Sequence, residues 1–186
     1  MVSAAVLDAT PGDRARAAGD ALGDRDLVAW CAALLGRRAR WGSPQWPDPG
    51  WLAGRTAHGW GAPERLTGER DYWARVWAAR TLLYVWDESA MLDVVAGLGD
   101  PAWRVREMCA KVCVRWAVDE AADGCARLLD DDTPRVRVAA LRVLGASAEG
   151  EHVPAVRAAL GDPDETVRAA AERALRRLAD RLDRPL

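Results

Sequence analysis

Through its C-terminal half the chain repeats itself every 31 residues. "LGDPAWRVREMCAKV" begins at Leu98, "LDDDTPRVRVAALRV" at Leu129 and "LGDPDETVRAAAERA" at Leu160. Four sets of residues therefore align without a gap: Leu98/Leu129/Leu160, Asp100/Asp131/Asp162, Val105/Val136/Val167 and Arg106/Arg137/Arg168. A period of this length makes each copy one small structural unit that cannot bury its own apolar face, so the copies must stack.

Within each copy the apolar residues follow the i, i+3, i+4, i+7, i+8 spacing of a helix. They are Val105, Met108, Cys109, Val112 and Cys113, then Val136, Ala139, Ala140, Val143 and Leu144, then Val167, Ala170, Ala171, Ala174 and Leu175. The aspartate ahead of each stripe stands where an N-cap is expected, with Pro101 and Pro163 in the first turn. A shorter helix follows, over about 120–129 and 151–160, so the unit reads as a helix–turn–helix pair. One period upstream, "YWARVWAARTLLYVW" is a degenerate copy that starts the array near Glu69. Before it, Thr10 caps a helix that opens on Pro11 and stops at Gly23, and Asp24 caps another. The expectation is an all-α chain of roughly nine or ten helices: an N-terminal pair over 1–39, a Trp/Pro/Gly-rich capping segment over 40–68, and repeats over 69–186. The units fall near 69–97, 98–128, 129–159 and 160–182.

The pattern L-x-D-x-x-x-x-V-R followed by an alanine-rich helix resembles the HEAT repeat, in the short form described in phycobilin lyases, over about residues 69–180. The resemblance implies a HEAT-like solenoid, a right-handed α-α superhelix with first helices convex and second helices concave. It also implies a ladder between neighbouring units, built from Asp100, Asp131 and Asp162 with Arg106, Arg137 and Arg168.

Ten tryptophans and no phenylalanine leave the aromatic content concentrated in one place. The segment "RWGSPQWPDPGW" places Trp41, Trp46 and Trp51 among prolines and glycines that forbid long regular elements. Indoles of this size are too costly to leave in water, so 40–66 is expected to lie down over the first units. In register, Trp77 falls on the core stripe, whereas Trp73, Trp103 and Tyr72 fall where other units carry polar residues.

Composition excludes several functions. The 26 basic and 28 acidic residues give a net charge of −2, so no polyanion-binding tail is present. All the basic residues but Lys111 are arginine, and isoleucine and asparagine are absent, which reads as the codon bias of a GC-rich bacterial genome. The N-terminus has no basic n-region and no window is a membrane span, so a cytoplasmic protein is expected. Cys109, Cys113 and Cys125 align with apolar residues of other units, and Cys31 lies in an apolar run; packing explains all four better than a metal site or redox pair. His58 and His152 stand alone in their segments and are expected to be exposed. No phosphate loop, zinc-ligand pattern or nucleophile elbow occurs, so neither a cofactor nor a metal is expected.

The leading expectation is a non-enzymatic, monomeric scaffold or adaptor that binds another protein on its second helices. The candidate contacts are Asp93, Asp123, Arg127 and Arg157, with the aromatics Trp103 and Tyr72. The alternative from another class is a nucleic-acid-binding relative of the HEAT-like alkylpurine DNA glycosylases. Its Trp-plus-acid arrangement is approached only by Trp103 with Glu107, and nucleic acid is not the expected partner. A bilin-lyase-like role would require a partner subunit and a chromophore to which no residue points.

Overall fold

The computed structural model describes residues 2–183, and among them the chain forms eleven α-helices, several short 3-10 turns and no strand. It divides into two compact units, the first ending at Gly97 and the second beginning at Leu98. The division falls inside the periodic array, because the first periodic helix packs against the helix formed by residues 24–35.

In the first unit, α1 (Ala4–Asp8), α2 (Pro11–Leu22) and α3 (Asp24–Leu35) precede the short α4 (Gly50–Ala53), and α5 (Tyr72–Thr81) and α6 (Met91–Ala96) follow. Helix α2 starts as its sequence dictates: the Thr10 hydroxyl accepts from Asp13 N at 3.2 Å and Pro11 occupies the first turn. Gly23, at φ 88°, both ends α2 and stands as the N-cap of α3, so Asp24 is the first helical residue and not the expected cap. The left-handed backbone there suits only glycine without cost. Arg14 is buried and donates to Ala9 O at 2.8 Å and Leu52 O at 3.4 Å, which ties α2 to the ends of α1 and α4.

The aromatic segment folds onto α3 and α5. Trp41 is buried, lies near-parallel to Trp30 at 6.5 Å and meets Trp77 at 5.1 Å. Its Nε1 donates to Gly61 O at 2.9 Å. Gly61 lies so close over Trp77 that a Cβ on it would stand 2.6 Å from the ring. Trp60 continues the cluster to Trp77 and, edge-on at 5.3 Å, to Trp73, yet it keeps 43 % of its surface exposed. Trp46 and Trp51 are half-buried.

In the second unit, long helices α7 (Trp103–Trp116), α9 (Pro134–Ser147) and α11 (Glu165–Arg181) alternate with six-residue helices α8 (Ala122–Arg127) and α10 (Val153–Ala158). Helix α9 packs against both α7 and α11, and the core between them is the periodic stripe: Val105, Cys109, Val112, Val136, Ala140, Leu144, Val167 and Ala171 are all buried. The short helices add Cys125 and Val156 to the same core.

Candidate functional site

The repeated aspartates are not N-caps. The caps are Ala102, Thr133 and Asp164, and each motif aspartate stands two residues ahead, its Oδ1 accepting the cap residue's N–H at 2.8 Å. Pro101 and Pro163 consequently precede the helices, whereas Pro134 occupies the first turn of α9. This tight Asx turn uses one carboxylate oxygen and leaves the other available. Arg106 Nε donates to Asp131 Oδ2 at 2.6 Å, and Arg137 grips Asp162 through Nε and Nη2, both at 2.8 Å. Each arginine also reaches back with Nη1 to its own unit's aspartate carbonyl: Arg106 to Asp100 O at 2.8 Å, Arg137 to Asp131 O at 2.7 Å and Arg168 to Asp162 O at 2.8 Å. One guanidinium thus fastens its own turn to the next turn along the chain.

The hydrogen bond from Arg137 holds the Asp162 carboxyl below its ordinary value. For Asp131, burial pushes upward, but the bonds from Arg106 and from Thr133 N outweigh it and the carboxyl is lowered as well.

The second cluster corrects the expectation for His152, which is buried rather than exposed. It sits in the 3-10 turn that leads into α10 and shares a reciprocal cap with Glu149, whose backbone N–H donates to His152 Nδ1 at 3.3 Å. With Nδ1 accepting, the ring proton resides on Nε2, which faces Asp123 Oδ1 on α8 at 3.1 Å. Asp123, Glu151 and His152 bring ligand-type atoms within 4.8 Å of one another. A metal at Nε2 would need the lone pair that this tautomer replaces with a proton, so the arrangement is a seam contact between successive short helices. His58 is exposed, as expected.

On the long helices a third arrangement lies in register. Glu107 is buried and engaged by Lys111 at 2.9 Å and Arg135 at 3.2 Å. Beyond it Arg142, Arg173 and Arg177 border two adjoining clefts of about 470 and 250 Å³ along α7, α9 and α11.

Residues 122–186 match the family model for HEAT repeats. Over this stretch the chain is similar to HEAT repeats. The crystal structure of an engineered protein from a structural genomics consortium has the same fold, with a TM-score of 0.51 and 19 % sequence identity, over 95 % of this chain and 87 % of that one. No curated protein matches the sequence. Among the described residues no helix is long and apolar enough to cross a membrane.

The candidate contacts are spread over both units. Tyr72, half-buried at the start of α5, stacks on Trp73 at 5.4 Å, and Asp93 on α6 is held by both terminal nitrogens of Arg38, at 2.7 and 2.6 Å. In the second unit Trp103 is half-buried, with the Arg104 guanidinium 4.3 Å above its ring and that of Arg135 at 5.8 Å. Glu107, the acid of the glycosylase-like reading, is the buried partner of Lys111 and Arg135. Asp123 belongs to the His152 seam, whereas Arg127 on α8 and Arg157 on α10 are exposed. Arg38, Arg142, Arg173 and Arg177 were not among the expected contacts. The shared register of Lys111, Arg142 and Arg173, 31 residues apart, is the signal by which that row can be read from sequence.

All four cysteines are buried free thiols. Burial raises Cys31 and Cys125 far above the ordinary thiol range, and Cys113 to about 12. Thiolates are the reactive form of cysteine, so none of these three is poised as a nucleophile.

Proposed function

We propose that this chain is a HEAT-like, non-catalytic scaffold or adaptor that holds another protein on helix faces exposed by its repeats. HEAT repeats typically mediate protein–protein interaction. One observation carries the reading: the cysteines and His152 are withdrawn from solvent, while unpaired charges stand exposed on helix faces. The thiols are buried, and His152 is fixed by Glu149 and Asp123. Arg127 and Arg157, by contrast, are exposed on the second helices and have no acidic partner among the described residues. These short helices, with Asp123, carry the face that the family resemblance assigns to binding, and Trp103 is a further candidate contact in the same unit. Asp93, paired with Arg38, lies on α6, the corresponding second helix of the first unit.

Affinity capture with the full chain tests this. Replacing Arg127 and Arg157 by alanine is expected to weaken retention of a specific partner about tenfold or more, the usual effect of removing charged contacts at an interface. Retention unchanged by these substitutions, by Asp123→Ala and by Trp103→Ala would rule out this face.

A further inference from the structure

The long helices carry a second surface whose chemistry names its partner. Five of the arginines in the second unit have an acidic counterpart: Arg106 and Arg137 an aspartate, Arg135 Glu107, Arg176 Glu172 and Arg181 Glu149. Arg142 on α9 and Arg173 and Arg177 on α11 have no acidic partner among the described residues, and all three are exposed. They nevertheless stand together, because all three line one cleft of about 250 Å³ whose floor is Val114, Leu141, Ala170 and Ala174. That cleft adjoins the one bordered by Lys111 and Arg135, and Arg142 and Arg173 line both. The floor is shallow and smooth because α9 and α11 approach closely: a Cβ on Gly145 would lie 2.9 Å from Ala174 Cα. From Arg135 to Gly145 the groove follows ten residues of α9, about 15 Å at 1.5 Å per residue.

We infer that this groove binds an acidic amphipathic helix of a partner protein, with leucine-like side chains on the apolar floor and carboxylates against Arg142, Arg173 and Arg177. The inference rests on the reading of the chain as a protein-binding module and specifies the partner's chemistry. Three guanidiniums kept close together without acids repel one another, and a partner that supplies carboxylates relieves that repulsion as it binds. The apolar floor favours a peptide over a nucleic acid, which would want aromatic platforms for its bases or a continuous cationic track for its phosphates. Here the α7 rings are themselves covered by guanidiniums, Trp103 by Arg104 and Arg135 and Trp116 by Arg115. The 15 Å length suits about ten helical residues, or roughly three turns.

The test uses the full chain and fluorescence anisotropy with a labelled twelve-residue peptide carrying leucines at i, i+4, i+7 and glutamates on both flanks. Binding is expected, and replacing the glutamates by glutamine should weaken it about tenfold. The triple variant Arg142→Gln, Arg173→Gln, Arg177→Gln should weaken it roughly thirtyfold, about threefold per exposed charge pair. Arg176→Gln makes the same charge change on the same helix away from the cleft and should leave binding as it was. A positive readout excludes misfolding: Arg173→Glu should acquire affinity for the peptide with lysine in place of glutamate. Equal binding by wild type and triple variant, no binding of the acidic peptide, or tighter binding of a single-stranded DNA of equal charge would each overturn the inference. Native partner capture that survives in the triple variant but is lost with Arg127→Ala and Arg157→Ala would remove this groove and leave the adaptor reading standing. A wild-type chain that retains no specific partner would remove that reading itself.

Discussion

The indole N–H groups of Trp30 and Trp41 meet different fates in neighbouring positions. Both rings are buried, but Trp41 Nε1 donates to Gly61 O while Trp30 Nε1 is sealed in the core with no acceptor among the described residues. A buried donor without a partner costs about 1–3 kcal/mol, so its removal offsets part of what a smaller ring loses. Trp30→Phe should therefore destabilise less than Trp41→Phe, by about 1–2 kcal/mol, as read from urea unfolding midpoints; the reverse order would contradict the assigned bond. The cysteines give a second expectation at this scale. With thiols raised by burial, Cys31, Cys113 and Cys125 should resist iodoacetamide at pH 8 in the native protein and react on unfolding, which intact-mass spectrometry reads directly. Their inertness was legible in the sequence, because the repeat places three of the four on positions that are apolar in other copies. His152 was not legible in the same way. Its burial depends on Asp123, 29 residues away, and on a turn that binds its Nδ1, and neither contact leaves a mark in the spacing of residues.

At the scale of elements, helix starts and stops test how finely a motif can be read. The aspartate of each repeat was visible, and so was its arginine, yet the cap position was displaced by two residues. The reason is that an Asx turn and an N-cap use the same side chain and differ only in which N–H it accepts from. Helix α7 ends on Ala117 at φ 51°, a left-handed residue with the Val118 N–H bonded to Cys113 O at 3.0 Å. Glycine takes that conformation without the Cβ penalty, so Ala117→Gly should stabilise by about 1 kcal/mol and raise the melting temperature by roughly 2–4 °C. Gly145 poses the opposite case. Alanine gains about 1 kcal/mol of helix propensity, but its Cβ would press on the Ala174 backbone and force α9 from α11. Gly145→Ala is expected to lower stability by about 1–2 kcal/mol net in calorimetry, and a gain would show that the two helices separate freely.

For the molecule as a whole, the Arg–Asp pairs set how it responds to acid. Asp131 and Asp162 titrate lower folded than unfolded, so their contribution is complete above the unfolded value of about 4 and is lost as pH falls through the lower folded values. Urea midpoints should be level from pH 7 to about 5 and fall steeply below 4. Asp162→Asn should cost about 2 kcal/mol at pH 7, since Arg137 loses its partner, and should flatten the acid limb. The architecture at this scale was the most legible part of the chain, because a 31-residue period imposes stacked helix pairs whatever the side chains do elsewhere. The division into compact units was less so: it depends on how α5 packs beside α3, and the register carries no record of that.

The arginine contacts also have a sense of direction. Arg106 reaches Asp131 and Arg137 reaches Asp162, always the aspartate of the following copy and always 25 residues ahead. A seam built this way is the same wherever it occurs, so residues 129–159 amount to a cassette with one kind of plug and one kind of socket. Copying that segment in frame would create a further seam of the same chemistry, whereas deleting a single residue between Arg137 and Asp162 would misalign plug and socket. Gain or loss of whole copies is thus the low-cost route by which such a chain changes length.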